Sequence, residues 1–168
     1  MNIVIDKAQD QDVERIAQIM NTVKEAIQDP EWFCADNQEF ITRHIHESGF
    51  ILKGVYDHEI MGFLIVRIPK YEKDNLGYDI GLDHSKLSQV AHMESVATLP
   101  SSRGKGLQKL LMMEAETILR KDGFTYLMAT VHPGNVYSLN NFTGLGYEIV
   151  KTMKKYDGKE RHILLKII

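Results

Sequence analysis

The sequence predicts one α+β domain, and three observations carry that prediction. The chain has 168 residues, 43% hydrophobic and 26% charged, the proportions of a globular domain that can bury a core. Apolar residues recur at helical spacing in some segments and as short β-branched or aromatic runs in others, giving the order β-α-α-β-β-β-α-β-α-β-β. No repeat, low-complexity tract or linker interrupts that order, so residues 1–168 read as a single domain.

Met1 to Ile5 reads as a short strand. Val13, Ile16, Ala17, Met20, Val23 and Ile27 then recur at helical spacing behind Asp10, the expected N-cap. A second helix is expected near Asp36, with Glu39 three positions on and Phe40, Ile41, His44 and Ile45 on one face. Residues 50–56 and 60–68 form a hairpin across Asp57, His58 and Glu59. Residues 69–88 mix charge, two glycines and a proline, the composition of a long functional or mobile loop.

Val90 to Leu99 is the fourth strand, ending at Pro100. The helix after it carries Leu107, Leu110, Leu111, Ala115, Ile118 and Leu119 as its apolar stripe, and Gly123 falls where a left-handed cap belongs. Residues 124–131 suit a buried strand, and His132-Pro133-Gly134-Asn135 turns the chain into a short helix ending near Gly144 or Gly146. Residues 147–156 and 161–168 close the chain as a hairpin across Asp157-Gly158.

Composition excludes several function classes. Twenty Lys plus Arg against 23 Asp plus Glu leave a formal charge of -3 and a pI near 6.2, with no broad cationic field for nucleic acid or anionic lipid. Cys34 is the single cysteine, which excludes an internal disulfide and a multi-thiolate zinc site. Asp6 and Asp10 stand where a signal peptide needs a basic start, and no apolar run approaches ~18 residues, so a cytoplasmic protein is expected. His44 and His46 are i and i+2 on a helix and point apart, so no metal is expected there. The eight methionines, Met93, Met112, Met113 and Met128 among them, read as core filler.

The chemistry concentrates at Leu99 to Leu111, where a strand runs through a glycine-bearing turn into a helix. Unpaired N–H groups and partial positive charge at a helix N-terminus suit an anion, and Gly104 and Gly106 remove the Cβ atoms that would obstruct it. Arg103 and Lys105 add positive charge. An isolated R-G-x-G equally well punctuates a turn, so context must decide. The phosphate-loop pattern G-x-x-x-x-G-K-[ST] does not occur, and Lys109 stands where a dinucleotide fingerprint needs its third glycine. What remains is a phosphate-bearing ligand of another kind.

The stretch E-S-V-A-T-L-P-S-S-R-G-K-G-L-Q-K-L-L resembles the cofactor-binding motif of the GCN5-related N-acetyltransferases, the GNAT family. In the pattern [RQ]-x-x-G-x-[GA], Arg103, Gly106 and Gln108 take the three fixed positions, the last departing from Gly or Ala. Downstream, H-P-G-N-V-Y-S-L-N-N-F-T-G-L-G-Y is similar to the family's N-x-x-[AS]-x-x-x-[YF]-x-x-x-G-[FY], with Asn135, Ser138, Phe142, Gly146 and Tyr147 in register. The resemblance implies the GNAT fold, a mixed central sheet whose fourth and fifth strands splay near Val96 and Val131. It implies that acetyl-CoA lays its pantetheine arm on the backbone of Val96, Ala97 and Thr98. The pyrophosphate would rest on the amides of Gly104, Lys105, Gly106, Leu107 and Gln108 beside Arg103, with Asn135 and Ser138 bordering the thiol end.

The implied reaction is direct attack of an amine on the acetyl thioester. Glu94, two residues before Val96, is the first candidate for general base, with His92 sharing its strand parity and His132 at the end of the fifth strand. Family members place a tyrosine where Phe142 stands, so Tyr137 and Tyr147 are the alternative proton donors. The expected acceptor is a primary amine of a small molecule or peptide. Asp36, Glu39, Glu72, Asp74 and Asp79 are acids able to receive a cation. A catalytically silent CoA-binding sensor is the alternative reading, and a homodimer is compatible with either.

Overall fold

A computed structural model of the chain describes residues 2–33, 35–156 and 158–168. Its strands are β1 (Val4–Lys7), β2 (Gly49–Tyr56), β3 (Glu59–Arg67), β4 (Val90–Thr98), β5 (Tyr126–Val131), β6 (Glu148–Lys155) and β7 (Lys159–Ile167). Its helices are α1 (Val13–Ala26), α2 (Gln38–His46), α3 (Leu76–Asp79), α4 (Leu107–Lys121) and α5 (Val136–Thr143). This is the expected order with the four-residue α3 added. The seven strands form one mixed sheet in the order β1-β2-β3-β4-β5-β7-β6, parallel where β4 meets β5 and antiparallel in β1–β2, β2–β3, β5–β7 and β6–β7.

The chain divides into two compact units. The first comprises Met1–Arg67 and Met93–Thr117, the second Ile68–His92 and Ile118–Ile168. In the first, Ile16, Ile19 and Met20 of α1 and Ile41 of α2 are buried with Ile51, Phe63, Ile65 and Ala97 of the strands. Asp57 and His58 both adopt positive φ, 49° and 64°, the conformation that lets a two-residue turn follow the twist of the β2–β3 hairpin. Gly54 and Gly62 face each other across that hairpin; a Cβ on Gly54 would collide with the Leu107 side chain, and one on Gly62 would collide with the Ala97 carbonyl and press on Leu107. The glycine pair therefore makes the seat into which the first residue of α4 sinks, fixing where that helix begins.

Two helix starts differ from the sequence expectation. Asp10 does not cap α1; Asp12 takes the N-cap position, its carboxylate accepting the Gln9 N–H at 2.8 Å and the Lys53 ammonium at 2.7 Å. Asp10 instead pairs with His46 at 2.6 Å. At α2 the cap is Asn37, whose side chain accepts the Phe40 N–H at 2.8 Å, which leaves Asp36 just outside the helix with its carboxylate uncommitted to the cap.

In the second unit, Leu76, Val90, Met128 and Ile163 form a buried cluster. The expected loop at 69–88 is an anchored structure. Asn75 is fully buried; its amide donates to the Lys70 carbonyl at 2.6 Å and the Leu87 carbonyl at 3.2 Å, and its oxygen accepts the Gly77 N–H at 2.8 Å. Lys155 of β6 binds the Asp79 carboxylate at 2.7 Å. Gly123 has φ of 87° behind α4, and the Phe124 N–H closes onto the Leu119 carbonyl at 3.0 Å, the left-handed termination expected. Leu110 and Met113 depart from expectation: they are 41% and 47% exposed, whereas Met93, Met112 and Met128 are buried. The turn at Asp157 lies outside the described residues, as does Cys34.

Candidate functional site

The turn entering α4 is built from inside by serine and leucine. Ser102 is buried and its hydroxyl donates to the Leu99 carbonyl at 2.8 Å; the N–H groups of Ser102, Arg103 and Lys105 bond back to Leu99, Pro100 and Ser102. The first α4 turn closes with the Leu110 N–H on the Gly106 carbonyl at 3.0 Å. Among the described residues, the N–H groups of Gly104, Gly106 and Leu107 meet no acceptor of the chain, as the start of a helix dictates. Gly104 and Gly106 have φ of 75° and 72°, and a Cβ on either would enter open space. Arg103, Gly104, Lys105 and Gly106 are exposed, whereas Leu107 and Gln108 are buried. Open amides, glycines in the left-handed region and two cationic side chains compose an anion cradle.

Strand β4 leads into this turn. Its parallel pairing with β5 covers Val90, Ala91 and His92, opposite Tyr126, Leu127 and Met128. The strand then runs on for the six residues Met93–Thr98, with Ala97 buried and Val96 and Thr98 half-buried. Glu94 is the one exposed residue of β4. His92 shares its parity but is buried, and its Nε2 accepts the Leu76 N–H at 3.1 Å. That bond gives His92 a structural task in holding α3.

In the second unit, Asn135 caps α5 by accepting the Ser138 N–H at 3.2 Å. Tyr137 is 57% exposed on the same helix. His132 is half-buried, and its Nδ1 accepts the Gly134 N–H at 2.9 Å. That bond sets the hydrogen of the neutral ring on Nε2 and occupies the Nδ1 lone pair that a base would use. Phe142 and Tyr147 are both buried and meet edge to face at 5.0 Å, so the Tyr147 ring serves packing.

Back in the first unit, the start of α2 holds a cavity of ≈ 330 Å³ lined by Ala35, Asp36, Asn37, Glu39, Phe40 and Arg43. Asp36 is half-buried in its wall. Burial, which disfavours the charged carboxylate, and then the negative charge of Glu94, which disfavours a second anion beside it, raise its pKa to about 6. His44, one turn along, is fully buried. Its Nδ1 lies 2.8 Å from the Phe40 carbonyl, so Nδ1 carries the hydrogen, and Nε2 has a lone pair with no partner. Burial lowers the pKa of His44 against the opposing pull of the Phe40 carbonyl and Glu94, while Arg43 and Arg67 add to the lowering.

The sequence offers Asp36 only as one of five acids able to receive a cation, and spacing alone does not relate residues 36 and 44 to Glu94, whose charge acts on both in the fold. No group of three or more potential metal ligands occurs among the described residues, and no helix is long and apolar enough to cross a membrane.

Comparison with known proteins extends these observations. No curated protein matches the chain significantly by sequence. Solved structures do match its fold. The ribosomal-protein-S18-alanine N-acetyltransferase of Escherichia coli superposes with a TM-score of 0.75 at 15% identity, over 99% of this chain and 94% of that one. The ribosomal-protein-alanine N-acetyltransferase of Brucella melitensis gives 0.73 at 18%, over 98% and 99%. The yncA protein of Salmonella typhimurium, solved with its cofactor acetyl-CoA, gives 0.71 at 16%, over 99% and 94%. The model of the Acetyltransferase (GNAT) family matches residues 13–147, a span that holds the α4 turn, all of β4 and the cap of α5, and the chain belongs to that family.

Proposed function

We propose that the protein is an acetyl-CoA-dependent N-acetyltransferase whose acceptor is a primary amine of a small molecule or peptide. The observation that carries this reading is the turn at 103–108. Three amides without an intrachain acceptor, two glycines open to solvent and the side chains of Arg103 and Lys105 suit the pyrophosphate of the coenzyme. The six residues of β4 beyond its last pair with β5 supply strand backbone on which a pantetheine arm adds through Val96, Ala97 and Thr98.

Bound acetyl-CoA supplies the activated acyl group. The chain's own task is to hold an amine, free it of its surplus proton and orient its lone pair, and Glu94 is the proposed base. Family neighbours named for alanine N-acetylation of ribosomal proteins support a peptide N-terminus as one acceptor class. The compartment proposed is the cytoplasm, consistent with a single cysteine and no internal disulfide.

The test pairs binding with turnover. Wild-type protein is expected to bind acetyl-CoA calorimetrically and release free thiol with a panel of primary amines. Gly106→Val places a branched side chain in the open cradle and strains a φ of 72°, so acetyl-CoA affinity should fall at least about tenfold, or ~1.4 kcal/mol. Unchanged affinity in that variant would contradict the assignment of the cradle.

A further inference from the structure

The sheet ends on one side in β1 and on the other in β6. An edge strand offers a row of unpaired N–H and C=O groups, and proteins blunt it by keeping it short, bulging it or placing charge on it. β1 is blunted by length, at four residues. β6 has eight residues, roughly 27 Å of edge. Among the described residues, no backbone bond joins it to any element but β7.

The charges that would guard this edge are diverted. Lys151 donates to the Asp79 carbonyl at 2.9 Å and Lys155 to the Asp79 carboxylate at 2.7 Å, so two of the three lysines of β6 are held on α3. The bulge between Ile149 and Lys151 leaves apolar surface in the open. Successive strand residues point to opposite faces, and ordinarily one of two apolar neighbours is covered; Ile149 and Val150 are 44% and 42% exposed. Ile167, two residues past the β7 partner of Glu148, adds a third exposed apolar side chain.

Charge selects the occupant. β6 is polarised along its length, with Glu148 at its start and Lys154 and Lys155 at its end. Lys155 is paired within the chain, whereas Glu148 and Lys154 have no ion pair among the described residues. A strand polarised in this way is complementary to itself when run antiparallel, because a two-fold axis sets the acidic start of each copy against the basic end of the other. A wholly acidic strand would meet Glu148 with like charge, and a wholly basic one would meet Lys154 so.

We propose that β6 is the seam of a homodimer, in which two copies of the chain pair antiparallel along this edge and the sheet continues from one copy into the other. The seam satisfies the outward backbone groups of β6 and covers Ile149 and Val150. Each copy spends its own β6 on the other, so assembly closes at two chains. The proposal goes beyond the acetyltransferase reading and does not depend on it, since no residue of β6 belongs to the turn at 103–108 or to the candidate bases.

The test is sedimentation equilibrium of the full-length protein over about 1–200 μM, joined to amide exchange at both ends of that range. The wild-type mass should rise from 19.3 kDa to twice that value, and the β6 amides should exchange more slowly at the higher concentration. Val150→Asp puts a carboxylate in the seam at an exposed position, so it should raise the dimer dissociation constant at least about tenfold with the far-UV circular dichroism unchanged. Glu148→Lys and Lys154→Glu should each weaken the dimer about fivefold, and the two together should restore it, because the reversed ends match again. A wild-type chain that stays monomeric throughout, or grows past two chains, would overturn the seam. So would a dimer undiminished in Val150→Asp and in both single charge reversals, or one whose β6 amides exchange as fast as in the monomer.

Discussion

Asp36 shows how the burial of one carboxyl makes stability depend on pH. Its folded pKa of about 6 lies above the unfolded value of 3.8, so the folded state holds the proton more tightly. The stabilisation this gives is present below about pH 3.8 and is lost as pH rises through about 6. Above that, an ionised Asp36 opposes folding. Asp36→Asn should therefore be more stable than wild type at about pH 7.5, on the order of 1 kcal/mol after allowance for its partial exposure. The difference should vanish near pH 4, and urea unfolding at the two pH values checks it. Phe142 makes the complementary case. It is 3% exposed against the Tyr147 ring, so Phe142→Tyr buries a hydroxyl and should cost about 1–3 kcal/mol by urea unfolding. Thiol release by the folded fraction should persist.

At the scale of elements, composition misled where one buried polar residue governs. Charge, two glycines and a proline read as a loose excursion over 69–88, yet Asn75 bonds three backbone groups from inside it. His92 further accepts the Leu76 N–H. Asn75→Ala removes three hydrogen bonds and leaves buried backbone groups unpaired, for an expected loss of about 2–4 kcal/mol. Amide exchange should accelerate selectively across residues 68–89; uniform acceleration would show that the segment is not held from within. At α4 the helical period was plain, but the width of its apolar stripe was not. Leu110 and Met113 are exposed, and only the seat formed by Gly54 and Gly62 reveals which face Leu107 must bury.

For the molecule as a whole, the succession of strands and helices was legible because each burial pattern has a local period, 2 or 3.6, that sequence displays directly. The turn at 103–108 was legible for a related reason: an anion cradle made of consecutive amides and glycines is written in consecutive residues. The surroundings of Asp36 were not: Asp36 lies on the approach to a helix and Glu94 on a strand, and the charge of one reaches the other only once the chain has folded. The exposure of Glu94 was similarly undetermined, since alternation allows either face and only the structure shows Met93 and Ser95 taking the interior.

The central claim is that the amides of residues 104–107 bind the diphosphate of an acyl-carrying coenzyme. Titration of isotopically labelled protein with CoA, followed amide by amide in NMR, tests it most directly. The account predicts that the signals of Gly104, Gly106 and Leu107 shift furthest and together, with saturation matching the calorimetric affinity. Saturable CoA binding that leaves these three amides unmoved would contradict it.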